Sequence, residues 1–106
     1  MKSFIEREKG FEAEFKRKQE LAFRATARRN KLFGLWAAQR LGLAGDEAEA
    51  YAKAVVLADF EAPGDADVIE KVRSDLAAKG IGSGETELRA ELARAGAEAR
   101  KQVLQD

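Results

Sequence analysis

The chain contains no cysteine and no histidine. The first absence excludes a disulfide framework and a thiolate zinc site, and the second removes the commonest general base and metal ligand. Only one proline, Pro63, interrupts 106 residues. No run of alternating Val, Ile, Thr and aromatic residues is long enough for a half-buried strand. Long apolar runs are missing too, since nothing approaches the roughly 20 residues of a membrane span. The opening Met1-Lys2-Ser3-Phe4-Ile5-Glu6 has no apolar signal-peptide core, so a cytoplasmic protein without membrane insertion is expected.

Charge is abundant, at 36% of residues, and Ala, Glu, Lys, Leu and Arg dominate, which is the composition of helices with solvated faces. The length suits one all-α domain. A formal net charge of zero conceals a polarity. Residues 1–40 carry 11 Lys/Arg against 5 Glu, a net of +6, and the other 66 carry 8 against 14, a net of −6. Such a division serves packing of one half on the other, or steers the N-terminal half onto an acidic surface elsewhere.

Punctuation predicts four helices. Ser3 is placed to cap the first, with Glu6 reaching back in a capping box, and Gly42 closes it after about Leu41. A helix near 40 residues is about 60 Å long, whereas a compact domain of this size has a radius of gyration near 13 Å, so part of it must project. Gly10 is its weak point. At 100° per residue, Phe4, Phe11, Phe15 and Ala22 form a narrow stripe between charged flanks, suited to a helix laid in a groove. Leu21, Ala25, Leu32 and Trp36 centre about 70° away and read as a core face.

Three shorter helices follow. Asp46 and Glu49 suggest a cap for the second, with Tyr51, Ala54, Val55 and Ala58 facing inward up to the Pro63-Gly64 break. Asp65 reads as the cap of the third, which carries Val68, Ile69, Val72 and Leu76 and stops at Gly80. Ser83 is expected to start the last, whose inward face is Leu88, Leu92, Ala95, Ala99 and Val103. Short connections favour a four-helix bundle, taken here as residues 21–106 behind a partner-binding segment 1–20.

Catalytic and metal signals are poor. Asp59, Glu61, Asp65 and Asp67 lack EF-hand spacing and read as loop acids and a cap. Gly80, Gly82 and Gly84 have neither the Lys-Ser/Thr nor the preceding strand of a phosphate loop. No serine has a base beside it, so an enzyme is not expected, and no metal ligand set is assigned. The basic run Lys16, Arg17, Lys18, Arg24, Arg28, Arg29 and Lys31 has the charge to track nucleic-acid phosphates, but a pI of about 6.4 speaks against that partner. Arg29 lies on the Phe11 and Ala22 face, where it either snorkels or forms a buried ion pair.

The stretch ARRNKLFGLWAAQRLGL, Ala27 to Leu43, resembles the signature of the zeta subunit family, the alphaproteobacterial intrinsic inhibitor of the F-type ATP synthase. Phe4, Arg7 and Glu8 resemble the family's opening, Phe15 with Glu20, Leu21 and Phe23 its next block, and Asp46 to Phe60 with Pro63, Gly64, Asp65, Asp67 and Val68 its second and third helices. The likeness runs over residues 4–79.

It implies a regulatory subunit whose N-terminal helix inserts at an alpha/beta catalytic interface of the ATPase head and blocks rotation during hydrolysis. The partners implied are the alpha, beta and gamma subunits, with the protein peripheral on the inner-membrane ATP synthase. Partner-binding then falls on Phe4, Arg7, Glu8, Phe11, Phe15, Lys16, Arg17 and Lys18, with Phe4, Phe11 and Phe15 as apolar anchors and the basic residues steering. The family often has an Ala-His-Asp-Glu type of run after the phenylalanine, where this chain has Lys16-Arg17-Lys18-Gln19. Weak adenine-nucleotide binding on the bundle is also implied, though no motif locates it. A structural or assembly subunit without inhibition, and a helical nucleic-acid module, are the alternative readings.

Overall fold

Two helix ends in this chain are written by glycine, and they share one device. A computed structural model describes the backbone of residues 4–61 and 64–106, and the side chains of residues 12–61 and 64–106. It contains α1 (Phe4–Arg40), α2 (Gly45–Ala58), α3 (Ala66–Ala78) and α4 (Glu85–Gln105), with no strand among the described residues. Gly42 and Gly80 adopt φ values of +79° and +74°, a left-handed turn that a Cβ would oppose. Behind Gly42, the Leu43 N–H donates to the Ala38 carbonyl at 2.9 Å and the Gly42 N–H to that of Gln39 at 3.1 Å. Behind Gly80, the Ile81 N–H reaches Leu76 and the Gly80 N–H reaches Ala77, both at 2.9 Å. Both are Schellman closures, which satisfy carbonyls that the helix itself leaves open.

The helix starts differ from the sequence reading. The α2 N-cap is Ala44, and Asp46 lies inside the first turn, where its charge favours the positive end of the helix dipole without making a cap bond. Glu49 faces Lys31 of α1 at 3.8 Å instead. Asp65 does occupy the α3 N-cap, yet its side chain makes no cap bond because Arg29 holds the carboxylate at 2.9 Å. The last helix begins at Glu85 behind the N-cap Gly84, and the Ser83 hydroxyl is buried without a hydrogen-bond partner. The proposed Ser3–Glu6 capping box and Pro63 lie outside the residues whose side chains are described.

The core is organised around α1, which packs along both α2 and α4, while α3 closes against all three. Phe33, Val55, Val68, Val72, Leu76 and Leu88 are fully buried and bring all four helices into one cluster. On α1 the fully buried face is Asn30, Phe33, Gly34, Ala37 and Ala38. Leu21, Ala25, Leu32 and Trp36, expected on the core face, are only half-buried. A helix sandwiched between two neighbours buries a wider arc than one apolar stripe. The expected face of α3 is observed, and on α4 Leu88, Leu92, Ala99 and Val103 are buried as expected, with Gly96 buried beside them and Ala95 only partly so.

Two glycines set the approach of the neighbours to α1. A Cβ at Gly34 would stand 2.7 Å from the Ala52 Cα, so α1 and α2 touch backbone to backbone. At Gly96 a Cβ would meet the aliphatic stem of Arg29 at 3.5 Å, an ordinary contact. Gly96→Ala therefore gains helix propensity without a clash and should raise stability by about 0.5–1 kcal/mol in denaturant unfolding. A destabilised variant would mean that α4 sits closer to α1 than this contact allows.

Candidate functional site

The 37 residues of α1 make a rod about 55 Å long at 1.5 Å per residue, and the molecule measures 67 × 26 × 21 Å. One end of that rod leaves the bundle. Every residue from 12 to 20 is exposed, and the first half-buried side chain is Leu21. This stretch is helical on local grounds: it has no proline, it is rich in Glu, Lys and Arg, and Glu14 pairs with Lys18 one turn on at 3.8 Å.

Phe15 is 62% exposed on this free helix, with Lys16, Arg17 and Lys18 exposed around it. These four of the expected partner-binding residues are thus presented together to solvent. The side chains of Phe4, Arg7, Glu8 and Phe11 lie outside the described residues, although the backbone of α1 is helical through Gly10.

The charge division of the sequence is used largely inside the fold. Arg28 reaches Asp106 at 3.1 Å and the Gln102 side-chain carbonyl at 2.8 Å, Arg29 reaches Asp65, Lys31 reaches Glu49, and Arg40 reaches Glu87 at 3.3 Å. Arg40 also lies 4.5 Å over the Trp36 ring. Among the described residues, Lys16, Arg17 and Arg24 make no ion pair. Cations without an ion pair thus remain on the projecting end of α1 and its root, beside Glu12 and Glu20, as they do at Lys53, Lys79, Arg100 and Lys101 elsewhere among the described residues, and the fold withdraws Arg28, Arg29 and Lys31 from the run that suggested phosphate tracking.

Arg29 snorkels, and the ion pair it reaches is partly exposed and not a buried one. Its stem packs over Gly96, its Nε donates to the side-chain carbonyl of the buried Asn30 at 3.1 Å, and its guanidinium pairs with a half-exposed Asp65. One residue thereby ties α1 to α4 and to the start of α3. That use also takes Asp65 out of the acidic group near Pro63, and among the described residues no three acids converge as a metal site. Tyr51 donates to Asp75 at 2.8 Å, and burial together with that hydrogen bond holds its phenol far above the ordinary range, so it bridges α2 and α3 as a neutral group.

One surface feature escaped the sequence reading. Phe23 and Phe60 are 60% and 63% exposed, yet their ring centroids lie 6.1 Å apart at a tilt of 41°, where α1 leaves the bundle past the end of α2. Beside them Ala22, Thr26, Ala27, Val56 and Asp59 line a cleft together with the buried Asn30. The available signal was Phe23 itself, which falls about 80° from Phe15 and outside the expected core face.

Comparison with known proteins bears on the whole chain. A family model described as ATPase inhibitor subunit zeta matches residues 1–102. Three chains of known structure match as well. One, a solution NMR structure, is 51% identical over 78% of this chain and 94% of its own, with a TM-score of 0.69. No curated protein matches.

Proposed function

The chain belongs to the ATPase inhibitor subunit zeta family, and on that premise we propose that it is a non-enzymatic subunit that inhibits ATP hydrolysis by the F-type ATP synthase. Its N-terminal helix inserts at an alpha/beta catalytic interface of the head, against which rotation of the gamma subunit stalls. Residues 1–20 are the effector and residues 21–106 the bundle that carries it, peripheral on the membrane-bound enzyme. None of the helices among the described residues is long and apolar enough to cross a membrane.

The observation that carries this reading is the exposed run 12–20 on a helix continuous with the core. A helix held only at its root enters a groove without breaking contacts of its own domain. Phe15 supplies an apolar anchor, and Lys16, Arg17 and Lys18 supply long-range attraction to an acidic rim. Because α1 is already helical at its root, insertion extends existing structure, and the ordering entropy falls on fewer residues than for an unstructured peptide.

Titrating the purified full chain into the cognate ATPase head tests the reading. Hydrolysis should fall in a saturable manner. Co-purification with an unchanged rate would show a structural subunit instead.

A further inference from the structure

The exposed Phe23–Phe60 pair has no use in the fold that requires it to stay open. Together the two rings concentrate apolar surface at the root of the projecting helix. Solvent-facing aromatics brought together from positions distant in sequence are typical of a contact surface. We propose that this pair and the cleft beside it form a second docking point on the ATPase head, taking an apolar ridge with an acidic flank. The proposal rests on the function proposed above.

Continuity with the effector helix identifies the occupant. From Phe15 to Phe23 α1 rises about 12 Å and turns about 80°, and the exposed Gln19 lies midway on that path. A partner surface that follows the helix past Phe15 meets Phe23 next, then Phe60. Charge identifies the flank. Lys16 and Arg24 line the groove beside Phe23 together with Gln19 and Glu20, and both cations lack an ion pair among the described residues. The neighbouring cations Arg28 and Lys31 are already neutralised by Asp106 and Glu49. The two cations outweigh Glu20 on the Phe23 side and attract an acidic flank there, whereas Asp59 lines the cleft at the Phe60 end. The effector helix inserts, and the aromatic pair fixes how far it goes.

The test measures binding of full-length chains to the purified cognate head by surface plasmon resonance, with unfolding midpoints recorded for each variant. Phe23→Ala and Phe60→Ala should each raise the dissociation constant about tenfold, the scale of a central aromatic contact, mainly through faster dissociation. Arg24→Gln should slow association and reduce its salt dependence. Leu104→Ala removes a side chain that is 76% exposed beside the other face of α1, and should bind like the wild type. Both rings are mostly exposed, so the midpoints should hold; if an alanine variant loses stability, the Arg24→Gln rate decides the matter. Unchanged binding in both phenylalanine variants, or an equal loss in Leu104→Ala, overturns the docking point and leaves N-terminal insertion standing. No binding by the wild-type chain overturns both.

Discussion

Replacing Phe33 with alanine should lower the unfolding free energy by about 3–5 kcal/mol, shifting the denaturant midpoint far more than its slope. The ring is 0% exposed and belongs to the cluster shared by Val55 of α2, Val68 and Leu76 of α3, and Leu88 of α4. It stacks on Trp36 at 5.7 Å with nearly parallel planes. Truncation removes a buried aromatic and leaves a void that no single neighbour can fill, because each is anchored in its own helix. A domain of this size has about 5–15 kcal/mol in total, so the variant should be marginal. A loss under about 1 kcal/mol would mean that the four helices do not converge on this ring.

Gly34→Ala should destabilise by about 1–3 kcal/mol, although alanine is the better helix former by about 1 kcal/mol. The new Cβ would stand 2.7 Å from the Ala52 Cα and 3.2 Å from the Val55 Cβ. The obstacle at Ala52 is backbone, which has no rotamer to yield, so α2 as a whole must retreat from α1. Packing along that interface then loosens. The steric cost exceeds the propensity gain, and the opposite sign is expected at Gly96, where the neighbour is the flexible Arg29 stem. Unfolding of the two alanine variants side by side checks the pair, and a stabilised Gly34→Ala would contradict the backbone contact between α1 and α2.

The parts of this fold that were legible in the sequence are those decided locally. Gly42 and Gly80 end helices because a left-handed residue is needed within a few positions of the last turn, whatever packs nearby. The faces of α3 and α4 follow from spacing alone, since each helix has one covered side. Asp65 was placed rightly at the α3 N-cap, while the starts of α2 and α4 fall at Ala44 and Gly84, and the side-chain bonds expected of the caps are absent because a carboxylate has more than one use. Asp65 and Glu49 are taken by Arg29 and Lys31, from a helix distant in sequence, and no local rule weighs that competition. Asn30 and Gly34 were invisible as core residues because their burial depends on how closely α2 approaches.

The candidate site divides in the same way. Phe15 and the Lys16–Lys18 run were legible, because a charged helix too long for its domain must project, and the structure leaves residues 12–20 exposed. The Phe23–Phe60 pair was not, since it is made by the approach of α2 to α1 and neither residue announces the other. The charge asymmetry was visible as a total and became specific only with the ion pairs in place. Among the described residues all four ion pairs between α1 and the second half run from Arg28 onward, which leaves Lys16, Arg17 and Arg24 near Phe15 and Phe23 for a partner.

The proposed division of the chain puts inhibition in the projecting end of α1 and stability in the bundle. It is tested most directly by ATP hydrolysis of the cognate head with saturating amounts of the full chain and of a chain lacking residues 1–18. The unfolding midpoints of both are measured in the same buffer. The full chain should suppress hydrolysis, and the shortened chain should leave it running at a similar midpoint, because residues 12–20 bury nothing in the bundle. Equal rates with the two chains, whether both inhibited or both uninhibited, would contradict the account.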